Sequence, residues 1–123
     1  MQPDAAVLLD IVIAARRARQ FAAGLDQAGF ERDVKTQAAV LYELTVIGEA
    51  VRRLPEAFTS LHPGLPWREI AGMRNRLIHQ YHRVELAKVW RVVQEDLPTL
   101  LSRLEPLIPP DPPQRETDGN KPK

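Results

Sequence analysis

The sequence predicts an all-α protein: a four-helix-type, up-and-down bundle followed by a disordered, proline-rich C-terminal tail. Three observations predict it. Apolar residues recur at spacings of three and four along most of the chain. No segment alternates apolar and polar residues for long enough to make a strand. Five of the eleven prolines crowd into residues 109–123, among polar residues that cannot build a core. The expected organisation is one helical domain over residues 1–108 and a tail over 109–123.

The first helix is expected from Asp4, a plausible N-cap, to about Gly24, a plausible stop. Leu8, Ile11, Ala15, Ala18 and Ala22 recur along it at helical spacing, with Arg16, Arg17 and Arg19 around them. A short connection through Gly29 and Phe30 follows. The second helix is expected over Asp33–Leu54, where Val40, Leu44, Ile47, Val51 and Leu54 make a bundle seam and Pro55 ends it. Gly48 lies inside this helix, where glycine costs about 1 kcal/mol relative to alanine. Close approach of another backbone would account for it, and so would neutral accident.

Residues 55–61 read as a short helical turn. His62-Pro63-Gly64-Leu65-Pro66 reads as a loop, because a residue before proline is pushed out of the helical region. A third helix is expected from Pro66 or Trp67 to between His79 and Tyr81, with Ile70, Met73 and Leu77 inward. The last is expected over Val84–Leu107, with Pro98 bending it or opening one backbone hydrogen bond.

With 123 residues there is room for one domain. A formal net charge of +1 excludes a broadly basic nucleic-acid coat, so any RNA contact is local. There is no cysteine, which excludes disulfides and thiolate metal sites. Three scattered histidines argue against a zinc site, and no cofactor is expected. Met1-Gln2-Pro3-Asp4 lacks the basic start of a signal peptide. No apolar run approaches the roughly 20 residues of a membrane span. The expectation is a soluble, cytoplasmic protein.

The chemistry concentrates in Arg74-Asn75-Arg76-Leu77-Ile78-His79-Gln80-Tyr81. From Ile70 to Val84 there is no acidic residue, while Arg74, Arg76, His79, His82 and Arg83 lie in that window. Arg76, His82 and Arg83 read either as RNA contacts or as a solvated basic helix end, since cations suit a helix C-terminus. Arginine grips a phosphate at two points, and histidine exchanges protons near neutral pH. RNA carries its own nucleophile, the 2′-OH. His79 as base, a second proton donor at the leaving 5′-oxygen and Arg74 on the phosphate would therefore cleave RNA without a metal.

Arg74 and His79 lie about 140° apart on a regular helix, so they do not converge on one phosphate from its middle. Either the helix ends near His79 and the histidine turns back, or two copies meet and line one cleft as a homodimer. Asn75, one turn before His79, is placed to hydrogen-bond the imidazole and fix its tautomer.

A longer series of segments extends the pattern. Ile47-Gly48-Glu49-Ala50-Val51-Arg52-Arg53-Leu54-Pro55, His62-Pro63, Pro66-Trp67-Arg68-Glu69-Ile70, Gly72-Met73-Arg74-Asn75-Arg76-Leu77-Ile78-His79, Val89-Trp90 and Glu95-Asp96-Leu97-Pro98 follow in that order. In this the chain resembles the HepT-like family of HEPN-domain proteins, from Asp4 to about Leu107. The resemblance implies a helical-bundle ribonuclease that is the toxin of a type VII toxin–antitoxin module. It also implies a homodimer with the arginine and histidine between protomers, and a small MNT-type nucleotidyltransferase antitoxin as partner. The family's Arg-x4-His-x-Tyr motif maps onto Arg74, His79 and Tyr81, and on that analogy Tyr81 is the site of AMP transfer. Two positions depart from the family pattern: Gln80 stands where glycine is frequent, and His82 where an aromatic or acidic residue is frequent.

Other residues have quieter readings. Glu49 reads as a surface partner of Arg52 or Arg53, with orientation of Arg74 or His79 as the sharper option. Trp67 and Trp90 read as core or dimer-interface residues, with base stacking as the option. His62 reads as structural. Two alternatives to the ribonuclease remain: a non-catalytic module that docks a nucleotidyltransferase or binds nucleotide, and a plain structural bundle.

Overall fold

The computed structural model of the chain describes residues 3–109. These form helices α1 (Pro3–Ala22), α2 (Gln27–Arg32), α3 (Val34–Arg52), α4 (Glu56–Leu61) and α5 (Trp67–His79), then a 3₁₀ turn (Tyr81–Arg83). Helix α6 (Leu86–Arg91), a π-helical segment (Val92–Asp96), α7 (Leu97–Leu104) and a final 3₁₀ turn (Glu105–Leu107) complete the fold. The all-α expectation holds, with no strand among the described residues. Residues 110–123, where the disordered tail is expected, lie outside the described residues.

Helix α3 packs between α1 and α5, and α1 also packs against α7. Side-chain contacts show that α1 runs antiparallel to α3 and to the stretch from the π-helical segment through α7. Arg53 at the end of α3 meets Asp10 in the first half of α1 at 3.2 Å. Arg16 in α1 meets Glu105 at 2.8 Å, while Arg19 reaches back to Val93. The core is continuous through these helices, with Ile11, Phe30, Ile47, Val89, Leu97 and Leu100 among its fully buried members.

Several boundaries differ from expectation. Helix α1 begins at Pro3, so Asp4 lies inside its first turn instead of at its cap. It stops as expected: Gly24 has φ +83°, the left-handed conformation glycine adopts without penalty. The connection through Gly29 and Phe30 is a helix in its own right. Asp26 caps α2, accepting from Gly29 N–H at 2.7 Å, and Asp33 caps α3, accepting from Thr36 N–H at 3.0 Å. The Thr36 hydrogen bonds hold the Asp33 carboxyl below its ordinary pKa. Phe30 from this short helix is wholly buried.

The last helix starts at Leu86 rather than Val84, because Val84 is extended after the 3₁₀ turn. Pro98 opens a backbone bond as expected, but the distortion precedes it as five π-helical residues. In that segment Leu97 N–H donates to Val92 O, five residues back. Continuing the register would require residue 98 to donate to Val93 O, and proline has no N–H. The Arg19 guanidinium donates to Val93 O instead, at 3.3 Å. A side chain from α1 thus satisfies the carbonyl that Pro98 leaves free.

Candidate active site

Helix α5 carries Arg74, Asn75, Arg76 and His79, the 3₁₀ turn after it carries Tyr81, His82 and Arg83, and the approach of α5 to α3 positions Arg74. A Cβ built on Gly48 would overlap the Arg74 Cβ, and would lie 2.7 Å from Arg74 Cγ and 3.4 Å from the Ile70 carbonyl. Close approach is therefore the reason for Gly48. Where the two helices touch, the Arg74 side chain lies along α3 and is only 14% exposed.

Its guanidinium is held on two sides. Arg74 Nη2 donates to Glu49 Oε2 at 2.6 Å, and Nη1 donates to Asn75 Oδ1 at 3.0 Å. Nε is buried without a partner among the described residues. Of five guanidinium N–H donors, one on each Nη remains for a phosphate oxygen. The hydrogen bond from Arg74 holds the Glu49 carboxyl below its ordinary pKa, helped by the charges of Arg74, Arg52 and Arg53 and opposed by desolvation. Glu49 thus takes the sharper of its two readings: it grips Arg74 rather than serving as a surface partner of Arg52 or Arg53.

Asn75 also differs from expectation. Its side-chain oxygen accepts from Arg74, and no hydrogen bond joins it to His79. The physical reason is that an arginine donor already lies within reach of the amide oxygen.

His79 is the last residue of α5 and is exposed. The helix ends there, as one of the two arrangements requires. Gln80 has φ −140° and ψ 45°, and its N–H donates to Arg76 O at 2.8 Å. That φ is negative and open to any residue, so glutamine stands where glycine is frequent without backbone strain. Tyr81 is 54% exposed, and its ring meets His82 edge-on at 5.9 Å. Arg74 is bonded to Glu49 and Asn75, and no hydrogen bond joins it to His79. Arg76 and Arg83 line a small cleft with Met73, Val84, Glu85 and Lys88.

The remaining candidates fall as read or nearly so. Trp67 donates its indole N–H to His62 O at 2.9 Å, and Phe58 contacts both rings, so these residues pin the loop before α5. Trp90 is half-buried against Phe30. Among the described residues no group of three or more His, Asp or Glu is arranged to hold a metal ion, and no helix is long and apolar enough to cross a membrane.

The strand-free helical bundle formed by the described residues is consistent with a HEPN-type domain. Comparison with known proteins gives the family. The profile of the family described as Ribonuclease HepT-like matches residues 11–107. The chain is 42% identical over 100 residues to "Probable ribonuclease HepT" of Thermococcus cleftensis, covering 81% of this chain and 91% of that protein. It is 34% identical over 100 residues to "Putative RNase MJ1380" of Methanocaldococcus jannaschii, covering 81% and 92%. It is 40% identical over 79 residues to "Putative RNase MJ0127" of the same organism, covering 64% and 65%. No solved structure matches. The chain belongs to the HepT-like ribonuclease family.

Proposed function

We propose that this ribonuclease is a metal-independent endonuclease, the toxin of a type VII toxin–antitoxin module. The observation that carries the reading is the brace on Arg74: Glu49 at 2.6 Å and Asn75 at 3.0 Å hold one cation rigidly, with donors to spare. A preorganised guanidinium stabilises charge developing on phosphorus without reorganising during the reaction.

In the reaction, His79 takes the proton of the 2′-OH as O2′ bonds to phosphorus. The P–O5′ bond breaks, and His79 of a second protomer protonates the departing 5′-oxygen. The products are a 2′,3′-cyclic phosphate and a free 5′-OH. The homodimer is part of the proposal because Arg74 turns toward α3 while His79 stands in solvent, so facing copies complete the cleft. Tyr42, 66% exposed on α3, and Ile78, 46% exposed beside His79, supply apolar surface for that contact. Arg76 and Arg83 contribute cationic guidance to the RNA, and His82 is a further RNA contact beside them.

The antitoxin of this proposal is an MNT-type nucleotidyltransferase that acts on Tyr81. The exposed phenol oxygen attacks the α-phosphorus of ATP, pyrophosphate leaves, and AMP remains on the tyrosine. Its phosphate and adenosine then crowd the cleft two residues from His79. A second reading has one observation in its favour. Glu49 already neutralises Arg74, which suits a non-catalytic module that docks the nucleotidyltransferase or binds nucleotide.

The deciding experiment is incubation of AMP-free protein with bulk and transfer RNA in excess EDTA, beside His79→Ala and Arg74→Ala. Cleavage that leaves 2′,3′-cyclic ends and falls at least a hundredfold in both variants supports the enzyme. Absence of cleavage by folded, AMP-free protein supports the docking module.

A further inference from the structure

We propose that the groove between α2 and α6 is a base-stacking subsite for single-stranded RNA, joined to α5 by a track of basic side chains. The inference rests on the ribonuclease reading above. On a helix advancing about 100° per residue, the face of α5 runs from the half-buried Arg74 through Ile78, Asn75, His79 and Arg76, the last four exposed. His79 thus lies between two arginines. Past Arg76, the small cleft beside it is lined by Arg83 and Lys88, with one carboxylate, Glu85, among them. Lys88 also lines a second, larger groove of about 430 Å³. The two cavities share that one cation, so the basic residues continue from the candidate active site into the groove.

The groove has the parts that a nucleotide needs. Its one large apolar surface is Trp90, whose indole is backed by the buried Phe30 ring at 5.4 Å. A half-buried indole held from behind is a rigid stacking platform. Arg91 and Lys88 stand on its rim to meet phosphate. Among the described residues the one ion pair of Lys88 is an exposed contact to Glu85 at 3.6 Å, which a phosphate can replace. Gln27, Gln94 and Glu95 supply polar atoms for a base edge. The Glu95 carboxylate accepts from an exocyclic amine, which favours adenine over uracil. An amphipathic protein helix would require a longer apolar floor than one indole provides.

The test uses the full chain carrying Trp67→Phe, which leaves Trp90 as its single tryptophan. The probe is a 2′-O-methyl oligoadenylate of about eight nucleotides, which lacks the attacking hydroxyl and is not cut. Expected are saturable quenching of Trp90 fluorescence, weaker binding of the matched oligouridylate, and about tenfold weaker oligoadenylate binding in Arg91→Glu and Lys88→Glu. Trp90→Phe, which keeps a ring on Phe30 but removes the reporter, is read by anisotropy of an end-labelled oligoadenylate; it guards against a folding artefact and should weaken binding by a similar factor. In cleavage assays Arg91→Glu should raise KM with kcat retained, whereas His79→Ala loses kcat. Unquenched fluorescence with unchanged affinity in Arg91→Glu overturns the subsite, as does an Arg91→Glu protein that loses only its nucleotidyltransferase partner. Quenching without any RNA cleavage keeps the subsite and rejects the ribonuclease reading; cleavage without quenching does the reverse.

Discussion

Gly48 and Arg74 occupy one shared volume across the α3–α5 contact: the Cβ that glycine lacks would stand on the Cβ of the arginine. Alanine is favoured over glycine in a helix by about 1 kcal/mol, and overpacking a tight contact costs roughly 1–3 kcal/mol. The second effect wins here because the obstacle is the root of a side chain on a packed helix, not its flexible tip. Gly48→Ala should lower stability by about 1 kcal/mol in urea denaturation followed by circular dichroism. It should also cut RNA cleavage about tenfold or more, because the displacement falls on Arg74 itself. A variant more stable than the parent, with full activity, would contradict the contact.

Glu49 should act through Arg74. Glu49→Gln keeps the shape and a hydrogen-bond acceptor but removes the charge, and should lower cleavage about tenfold. Because the Glu49 pKa is depressed in the fold, the ion pair is fully formed above the ordinary carboxylate value. It is lost only as pH falls through the depressed value. The parent's acid limb should therefore lie below that of Glu49→Asp if the shorter side chain holds Arg74 less well. A pH–rate profile of the three proteins checks this, and identical acid limbs would remove Glu49 from the positioning role.

Arg19 and Pro98 should be energetically coupled. Arg19→Ala strands the Val93 carbonyl that Pro98 cannot satisfy, and should cost about 1–2 kcal/mol. In a Pro98→Ala background an N–H becomes available to the same region of backbone, and the cost should shrink. A double-mutant cycle by chemical denaturation measures the difference. Strict additivity would mean that the 3.3 Å contact contributes nothing.

Glu43 is the one buried charged residue among those described, and its carboxyl is pushed above the ordinary pKa by burial, with Arg17 opposing. Raised carboxyl values destabilise the fold as pH increases: the penalty is absent below the unfolded value, grows through the folded one and then stays constant. Glu43→Gln should thus raise Tm at pH 7 and make little difference near pH 4. A Tm loss at neutral pH would show that the carboxylate has a stabilising partner.

Much of this was legible in the residues. The long helices announced themselves through periodicity, and Gly24, Pro55 and the His62–Pro66 run punctuated them as expected. Helix α2 did not, because six residues complete fewer than two turns and carry one buried side chain, Phe30. Its signals were the two aspartate caps, Asp26 and Asp33. The π-helical segment was half legible: Pro98 announced a defect, but the choice of register depended on Arg19 arriving from α1. In the site, the residue types were evident while their partners were not. Helical spacing places Asn75 one turn from His79, yet its side chain accepts from its neighbour Arg74.

By itself the sequence determined that the chain is helical, where its main helices lie, and that Arg74, His79 and Tyr81 occur in one segment. Those properties follow from local spacing and side-chain chemistry, which a linear string contains. Only the tertiary structure decided that Glu49 braces Arg74, that Gly48 makes room for it, and that Trp90 borders a groove sharing Lys88 with the small cleft beside Arg76. These contacts join residues distant along the chain, and packing of α3 against α5 and of α2 against α6 selects them. A helix's own periodicity says which face is buried, but not which side chain will meet it there.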